Sequence, residues 1–283
     1  VSLSDDLLSA LMREPLAPIA PEFRSARQAA LLAEARAMEA QSPDAYWAWV
    51  AESFRWSQHW DRARDGGFGD LRYFPGGTIN VADNCVDRHA ENPATANRAA
   101  VIWEGEDGAV RTLTYLELRD AVARLANGLK SLGIGKGDVV AIYLPNLPEA
   151  FAAIHACNRI GAIYTVLFAG FSSDAVALRL QTAHARLVIT ADGSLRRGRV
   201  VPLLDNLRRA RLDAPDVRHI VVIDRTGKRP ELRDSEVAYE ALTAAQSPDC
   251  PCLPLEANDP SFLIFTSGTE AKPKGLVHSV AGF

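Results

Sequence analysis

Residues 139–167, VVAIYLPNLPEAFAAIHACNRIGAIYTVL, decide the fold. Val139 to Leu144 is apolar from end to end and reads as a buried strand; Leu147 to Ile160 reads as a helix, and Ile163 to Leu167 as a second strand. Working outward, the alternation continues through a helix at Ser173 to Ala183, a strand at Leu187 to Thr190, a helix near Pro202 to Arg211, a strand at His219 to Ile223 and a helix at Glu236 to Ala244. Upstream, Thr114 and Glu117 form a capping box ahead of Leu118, Val122, Leu125, Leu129 and Leu132, whose 4-3-4-3 spacing places one apolar stripe on a helix ended by Gly133. Before it, Ala100 to Glu104 and Thr112 to Leu113 flank a Gly105-Glu106-Asp107-Gly108 turn and predict a hairpin. Strands spaced by helices of this length imply parallel pairing through crossover connections. The expected class is therefore α/β, a sheet covered by helices on both faces.

The first 95 residues have another character. Ser25 to Ala40 is an alanine-rich helical run, and four of the five tryptophans, Trp47, Trp49, Trp56 and Trp60, follow within fourteen residues. Such a cluster serves either to line a ligand pocket or, more commonly, to bury apolar area where an extension packs on a domain. Glycines at 66, 67 and 69 and at 76 and 77 mark loops on the way to the main body. The expected organisation is a mostly helical extension over 1–95 and an α/β domain over 96–283.

With 283 residues, 48% of them hydrophobic and 23% charged, the chain can bury a sizeable core without disulfides or a metal, and its 19 glycines and 16 prolines exclude a collagenous, coiled-coil or disordered protein. A formal charge of −4 lacks the basic excess of a nucleic-acid binder and favours a small-molecule task. No uncharged apolar run approaches the ~20 residues of a spanning helix, and the opening VSLSDDLLSA has acids where a signal peptide carries basic residues; the expectation is a soluble, cytoplasmic protein without a membrane or nucleic-acid partner. Cys85, Cys157, Cys250 and Cys252 are too few for a disulfide framework, and Cys250-Pro251-Cys252 has the wrong spacing for a zinc knuckle, so free thiols in a reducing compartment are expected. The six histidines are scattered without ligand spacing, and no serine, cysteine or carboxylate constellation points to a covalent mechanism. No catalytic residue and no metal ligand is assigned.

Two glycine-rich stretches invite a phosphate reading. Gly133-Ile134-Gly135-Lys136-Gly137 lies after a helix and before a strand, the reverse of the dinucleotide fingerprint, and is a turn. In Phe262-Leu263-Ile264-Phe265-Thr266-Ser267-Gly268-Thr269-Glu270-Ala271-Lys272-Pro273-Lys274-Gly275 an apolar strand runs into small hydroxyl and glycine residues and then two lysines. Gly268 and Gly275 permit backbone conformations that other residues resist, the hydroxyls of Thr266, Ser267 and Thr269 can donate, and successive amides can form an anion-binding nest. The chain has five lysines against 26 arginines, so two at 272 and 274 are not its default way of placing positive charge. The stretch is not a Walker motif, and Leu276-Val277-His278 looks like strand rather than helix. On the residues alone, a polyphosphate loop and a surface hairpin rich in turn formers both remain open.

The run Phe265-Thr266-Ser267-Gly268-Thr269 with Lys272-Pro273-Lys274-Gly275 closely resembles the phosphate loop of the adenylate-forming superfamily, which includes AMP-forming acyl-CoA synthetases, luciferases and peptide-synthetase adenylation domains. Residues 74–88 (FPGGTINVADNCVDR), Ile102-Trp103-Glu104-Gly105, Leu113-Thr114-Tyr115 and Phe168-Ala169-Gly170-Phe171-Ser172 narrow the resemblance to the acetyl- and propionyl-CoA synthetase branch, and the tryptophan-rich region resembles that branch's extension. The resemblance implies the first part of the large amino-terminal domain of such an enzyme. It implies an acid-thiol ligase in which a short carboxylate, acetate or propionate, attacks the α-phosphorus of Mg2+-ATP to give acyl-adenylate and pyrophosphate, after which the thiol of coenzyme A displaces AMP. Thr266, Ser267, Gly268, Thr269, Glu270, Lys272, Lys274 and Gly275 would then hold the ATP phosphates, where placed amides, hydroxyls and ammonium groups neutralise developing charge without reorganising.

Glu270-Ala271 departs from the family's usual Thr-Gly. A carboxylate near phosphates is repulsive and Ala resists positive φ, so Lys272 and Lys274 offset the charge, or Glu270 faces outward, or it faces magnesium. A second site is implied at Arg196-Arg197-Gly198-Arg199, ahead of a predicted helix whose amino-terminal dipole disfavours cations and would welcome an anion between them. On the residues this is equally a solvated basic loop. By resemblance Arg196 and Arg199 meet the phosphorylated nucleotide end of coenzyme A and Phe168 and Gly170 lie along the same ligand, with Ala169 in place of a usual glycine. The carboxyl end reads as cut. The adenine- and ribose-contacting segments, the acyl pocket and a small carboxyl-terminal domain with the adenylation lysine are expected beyond Phe283, and residues 1–283 alone are expected to be inactive. The alternatives are a non-catalytic nucleotide-binding or scaffold module, and a medium-chain or aryl-acid ligase, against which the amino extension argues.

Overall fold

The structure is a computed structural model and describes residues 25–266 and 273–283. The chain forms two compact units, one ending at Ser53 and one spanning Phe54–Phe283. In the first, α1 (Ala26–Gln41) starts at a capping box in which the Ser25 hydroxyl accepts from Gln28 and the Gln28 side chain accepts from Ser25. The next helix, α2 (Pro43–Ala51), is capped by Ser42 and has proline at its first position, where no amide donor is needed. The Trp49 indole of α2 donates to Glu34 of α1 at 3.0 Å.

The second unit is built on a seven-stranded sheet. A hairpin of β1 (Ala99–Glu104) and β2 (Val110–Thr114) precedes it and leads into α3 (Tyr115–Ser131). The alternating run then gives β3 (Val139–Tyr143), α4 (Pro148–Ile160), β4 (Ile163–Val166), α5 (Ser173–Ala183) and β5 (Leu187–Ala191). A small hairpin, β6 (Ser194–Arg196) and β7 (Arg199–Val201), is followed by α6 (Leu203–Ala210), β8 (His219–Ile223), β9 (Glu236–Ala238) and α7 (Tyr239–Ala244). Last come β10 (Pro260–Thr266) and β11 (Lys274–Ser279). The strand order is β9-β8-β5-β3-β4-β10-β11, parallel throughout except for the antiparallel edge pair β10–β11.

From β3 the chain steps one way to β4 and then reverses past β3 to β5, β8 and β9. Right-handed crossovers place helices of opposite steps on opposite faces, and α3 accordingly packs with α4 and α7 while α5 packs with α6. Because both faces are covered, β5 is buried at every residue and β3 and β8 at every residue but the first, which is why these segments read as continuous apolar runs. The predicted stripe of α3 is the buried one: Leu118, Val122, Leu125 and Leu129 are all within the core.

Three sequence expectations are corrected. Glu236 to Ala238 is strand and not the start of a helix; the helix begins at Tyr239. Glu236 is buried, and its carboxylate accepts from Nε and Nη2 of Arg208 at 2.9 and 2.7 Å, an ion pair that lets a charged residue sit in the edge strand beside Ile220. Next, the arginine-rich 196–199 segment is not a plain loop ahead of α6 but the turn of the β6–β7 hairpin, whose second strand ends at Val201, two residues before the helix starts. Its turn has φ of 51° at Arg197 and 70° at Gly198, the doubly left-handed geometry of a tight hairpin. Finally, Gly275 pairs with Phe265 inside β11 without left-handed φ, so it does not use glycine's freedom.

Candidate functional site

The reversal of strand order opens a crevice beyond the carboxyl ends of β3, β4, β5 and β8, where doubly wound sheets bind ligands. It holds a cavity of about 610 Å3, lined among others by Trp103, Glu106, Phe168, Gly170, Arg196 and Arg225. Every wall has a local cause. Phe168 to Phe171 is a turn closed by the Phe171 amide donating to the Phe168 carbonyl at 3.0 Å, after which the Ser172 hydroxyl caps α5. The Asp192 carboxylate at the end of β5 accepts the amides of Gly193 and Arg225 at 2.8 Å and that of Thr226 at 3.2 Å, stitching the root of the β6–β7 hairpin to the segment after β8.

Within the cavity the Arg196 guanidinium lies 5.6 Å from the centre of the Phe168 ring. A Cβ at Gly170 would meet the Phe168 ring at 2.4 Å and Arg196 Nη1 at 3.0 Å, so this close approach requires glycine for space alone. On the facing wall Arg225 lies 5.2 Å from the Trp103 ring centre and 3.0 Å from Asp107, whose carboxyl it holds below the ordinary value together with the Ala109 amide. The Glu106 carboxylate accepts the Arg197 amide at 2.7 Å, joining the tip of the β1–β2 hairpin to the arginine turn. The result is a concave site with two guanidiniums, each near an aromatic ring; Arg225 is already paired with Asp107, and Glu104 and Glu106 also line the site, which leaves Arg196 as the guanidinium placed to meet a planar or phosphorylated anion.

A second cavity of about 410 Å3 shares Val166 and Phe168 with the first and is lined on its far side by Phe171, Arg179 and Phe262 to Phe265. Arg179 sits 4.0 Å from the Phe171 ring centre, and burial lowers its pKa. The Phe168 ring, 57% exposed, forms the ridge between the two cavities.

Of the residues assigned to coenzyme A from sequence, Phe168, Gly170 and Arg196 line one cavity, together with Ala169. Arg199 pairs with Arg196 across the β6–β7 hairpin and is exposed outside that lining. Of the phosphate-loop residues, Thr266 ends β10 opposite Lys274 of β11, and Gly275 lies next to Lys274; all three are exposed. Ser267, Gly268, Thr269, Glu270 and Lys272 lie outside the described residues. Sequence reasoning gave no site role to Trp103, Glu106 or Arg225. Trp103 and its neighbours carried only a family likeness, and Arg225 is one arginine among 26. All four cysteines are free thiols, and no helix among the described residues is long and apolar enough to cross a membrane.

Comparison with known proteins matches residues 86–283 to the family model described as AMP-binding enzyme, and residues 33–85 to that described as acetyl-coenzyme A synthetase N-terminus. The acetyl-coenzyme A synthetase of Halorhodospira halophila is 44% identical over 252 residues, which cover 86% of this chain and 38% of that protein. The acetyl-coenzyme A synthetase 2 of Pseudomonas aeruginosa is 42% identical over 248 residues, with the same coverage of both. Among solved structures, an acetoacetyl-CoA synthetase from Streptomyces lividans superposes with a TM-score of 0.78 at 29% identity, covering 84% of this chain and 36% of that one. The chain thus spans under two-fifths of the length of these relatives.

Proposed function

Because this chain belongs to the AMP-binding enzyme family, we propose that the protein carrying it is a cytoplasmic AMP-forming acyl-CoA synthetase acting on a short carboxylate, acetate or propionate. In this reading residues 1–95 are its amino-terminal extension and 96–283 the first part of its AMP-binding α/β domain. The observation that carries the reading is the Arg196 guanidinium held against Phe168 over Gly170, inside a crevice at the switch point of the sheet. Arg196 takes a phosphate of the nucleotide end of coenzyme A as a bidentate donor, with Arg199 at the rim, and the Phe168 ridge leads the rest of the ligand toward the second cavity and the β10–β11 edge.

At that edge Thr266 and Lys274, with the loop they bracket, take the β- and γ-phosphates of ATP. The hydroxyl and the ammonium meet charge that builds on pyrophosphate as the substrate carboxylate attacks the α-phosphorus. Magnesium enters as the counterion of the ATP phosphates.

The test uses the full-length protein. Acetate or propionate should support exchange of labelled pyrophosphate into ATP, and Arg196→Glu should raise the KM for coenzyme A while sparing that exchange. Coenzyme A binding with no exchange for any small acid would leave a binding module, and equal losses in both half-reactions would reject the Arg196 assignment.

A further inference from the structure

Tyr143 ends β3, the strand from which the sheet reverses, and its side chain is wholly buried. A phenol withdrawn from water needs a hydrogen-bond partner, and this one finds it outside the sheet. The hydroxyl donates to the Phe171 carbonyl at 3.2 Å, with the Ala169 carbonyl next at 3.5 Å. Burial raises the phenol pKa, so the group stays protonated and remains a donor. The strand itself is held in turn, since the Thr190 hydroxyl of β5 donates to the Tyr143 carbonyl at 3.0 Å.

The central strand thus holds the Phe168–Phe171 turn by its carbonyls from beneath. The upper side of that turn carries the ligand wall, where the lack of a side chain at Gly170 lets the Phe168 ring and Arg196 Nη1 close on one another. Any tilt of the turn therefore moves the aromatic ring and the space for the guanidinium together.

We propose that Tyr143 is a positioning residue for coenzyme A recognition: its hydroxyl fixes the turn at the height where Phe168 backs Arg196. The inference rests on the reading of this cavity as the coenzyme A site. Tyr143 touches no substrate and acts only through the turn.

The experiment is steady-state kinetics of the full-length protein carrying Tyr143→Phe, which deletes one oxygen and keeps the ring packing. Loss of one hydrogen bond should raise the KM for coenzyme A about 3- to 10-fold and leave those for ATP and the carboxylate where they were. Amide exchange should quicken at residues 169–171 and stay unchanged in α5.

An unmoved coenzyme A KM overturns the proposal, as does a uniform rise of all three constants with a lowered Tm. Arg196→Ala, measured in parallel, separates the two levels. If it raises the coenzyme A KM while Tyr143→Phe does not, the positioning role falls and the site reading stands; if both leave it unmoved, both fall.

Discussion

Gly170 shows how one absent side chain can shape a ligand wall. Its backbone has no left-handed φ, so glycine is not needed there for conformation; it is needed because a methyl group would lie 2.4 Å from the Phe168 ring. That ring is more than half exposed and can swing away, so Gly170→Ala should leave the denaturation midpoint almost unchanged. The displaced ring no longer backs Arg196, however, and on the proposed reading of this cavity coenzyme A affinity of the full-length protein should fall roughly 3- to 10-fold by calorimetry, the worth of one misplaced contact. A large loss of stability with intact affinity would show that Gly170 serves packing instead. The glycine was legible in the sequence as part of a motif, and its tightest neighbour, Phe168, is only two residues away; what no local pattern encodes is the second neighbour, Arg196 Nη1 at 3.0 Å from 26 positions along the chain.

Elements differ in how openly they announce themselves. α3 carries all its signals locally: the Thr114 hydroxyl accepts the Glu117 amide at 3.2 Å, Glu117 accepts the Thr114 amide at 2.8 Å, and the apolar stripe follows at helical spacing. Thr114→Ala should therefore cost about 1 kcal/mol and lower the Tm by roughly 2–4 °C for a unit of this size, measured by thermal unfolding; an unchanged midpoint would mean that tertiary packing alone sets the start of the helix. The β6–β7 hairpin had no such signals. Its strands are three residues each, its turn places Arg197 at φ 51°, and what holds it is the carboxylate of Glu106, 91 residues earlier in the chain. β9 was hidden for a related reason, since Glu236 has a place in a strand only once Arg208 is beside it.

At the scale of the whole unit, the segments around the sheet are fastened by buried polar groups. Arg159, 3% exposed, bonds Asp87 and the Cys250 carbonyl, and the Asn80 amide donates to the carbonyls of Asn158 at 2.9 Å and Leu253 at 2.8 Å. Beside them in α4, His155 has a buried Nδ1 without a hydrogen-bond partner among the described residues, and burial, with Arg159 nearby, lowers its pKa from 6.5 to about 4. The folded protein keeps this imidazole neutral where the unfolded chain takes up a proton. Its stabilising contribution is whole above pH 6.5 and is lost as pH falls toward 4, on the order of 3 kcal/mol across that window. Urea denaturation at pH 7, 5.5 and 4.5 should show His155→Leu losing less stability than the parent protein over this range. Equal pH slopes for the two proteins would remove His155 from the account.

Short stretches of the chain carry the alternation of strand and helix, the capping and stripe of α3, the family likeness of the 262–275 run and the resemblance that singles out Phe168, Gly170, Arg196 and Arg199. These are written in patterns a few residues long, because hydrophobic period, caps and turns depend on near neighbours in the chain. The strand order, the crevice where it reverses, the contribution of Trp103, Glu106 and Arg225 to the cavity lining, and the bond from Tyr143 to the Phe168–Phe171 turn come into being with folding alone. Each of these joins groups separated by many residues, and their pairing is set by which faces can be buried together and which buried polar atoms can satisfy one another.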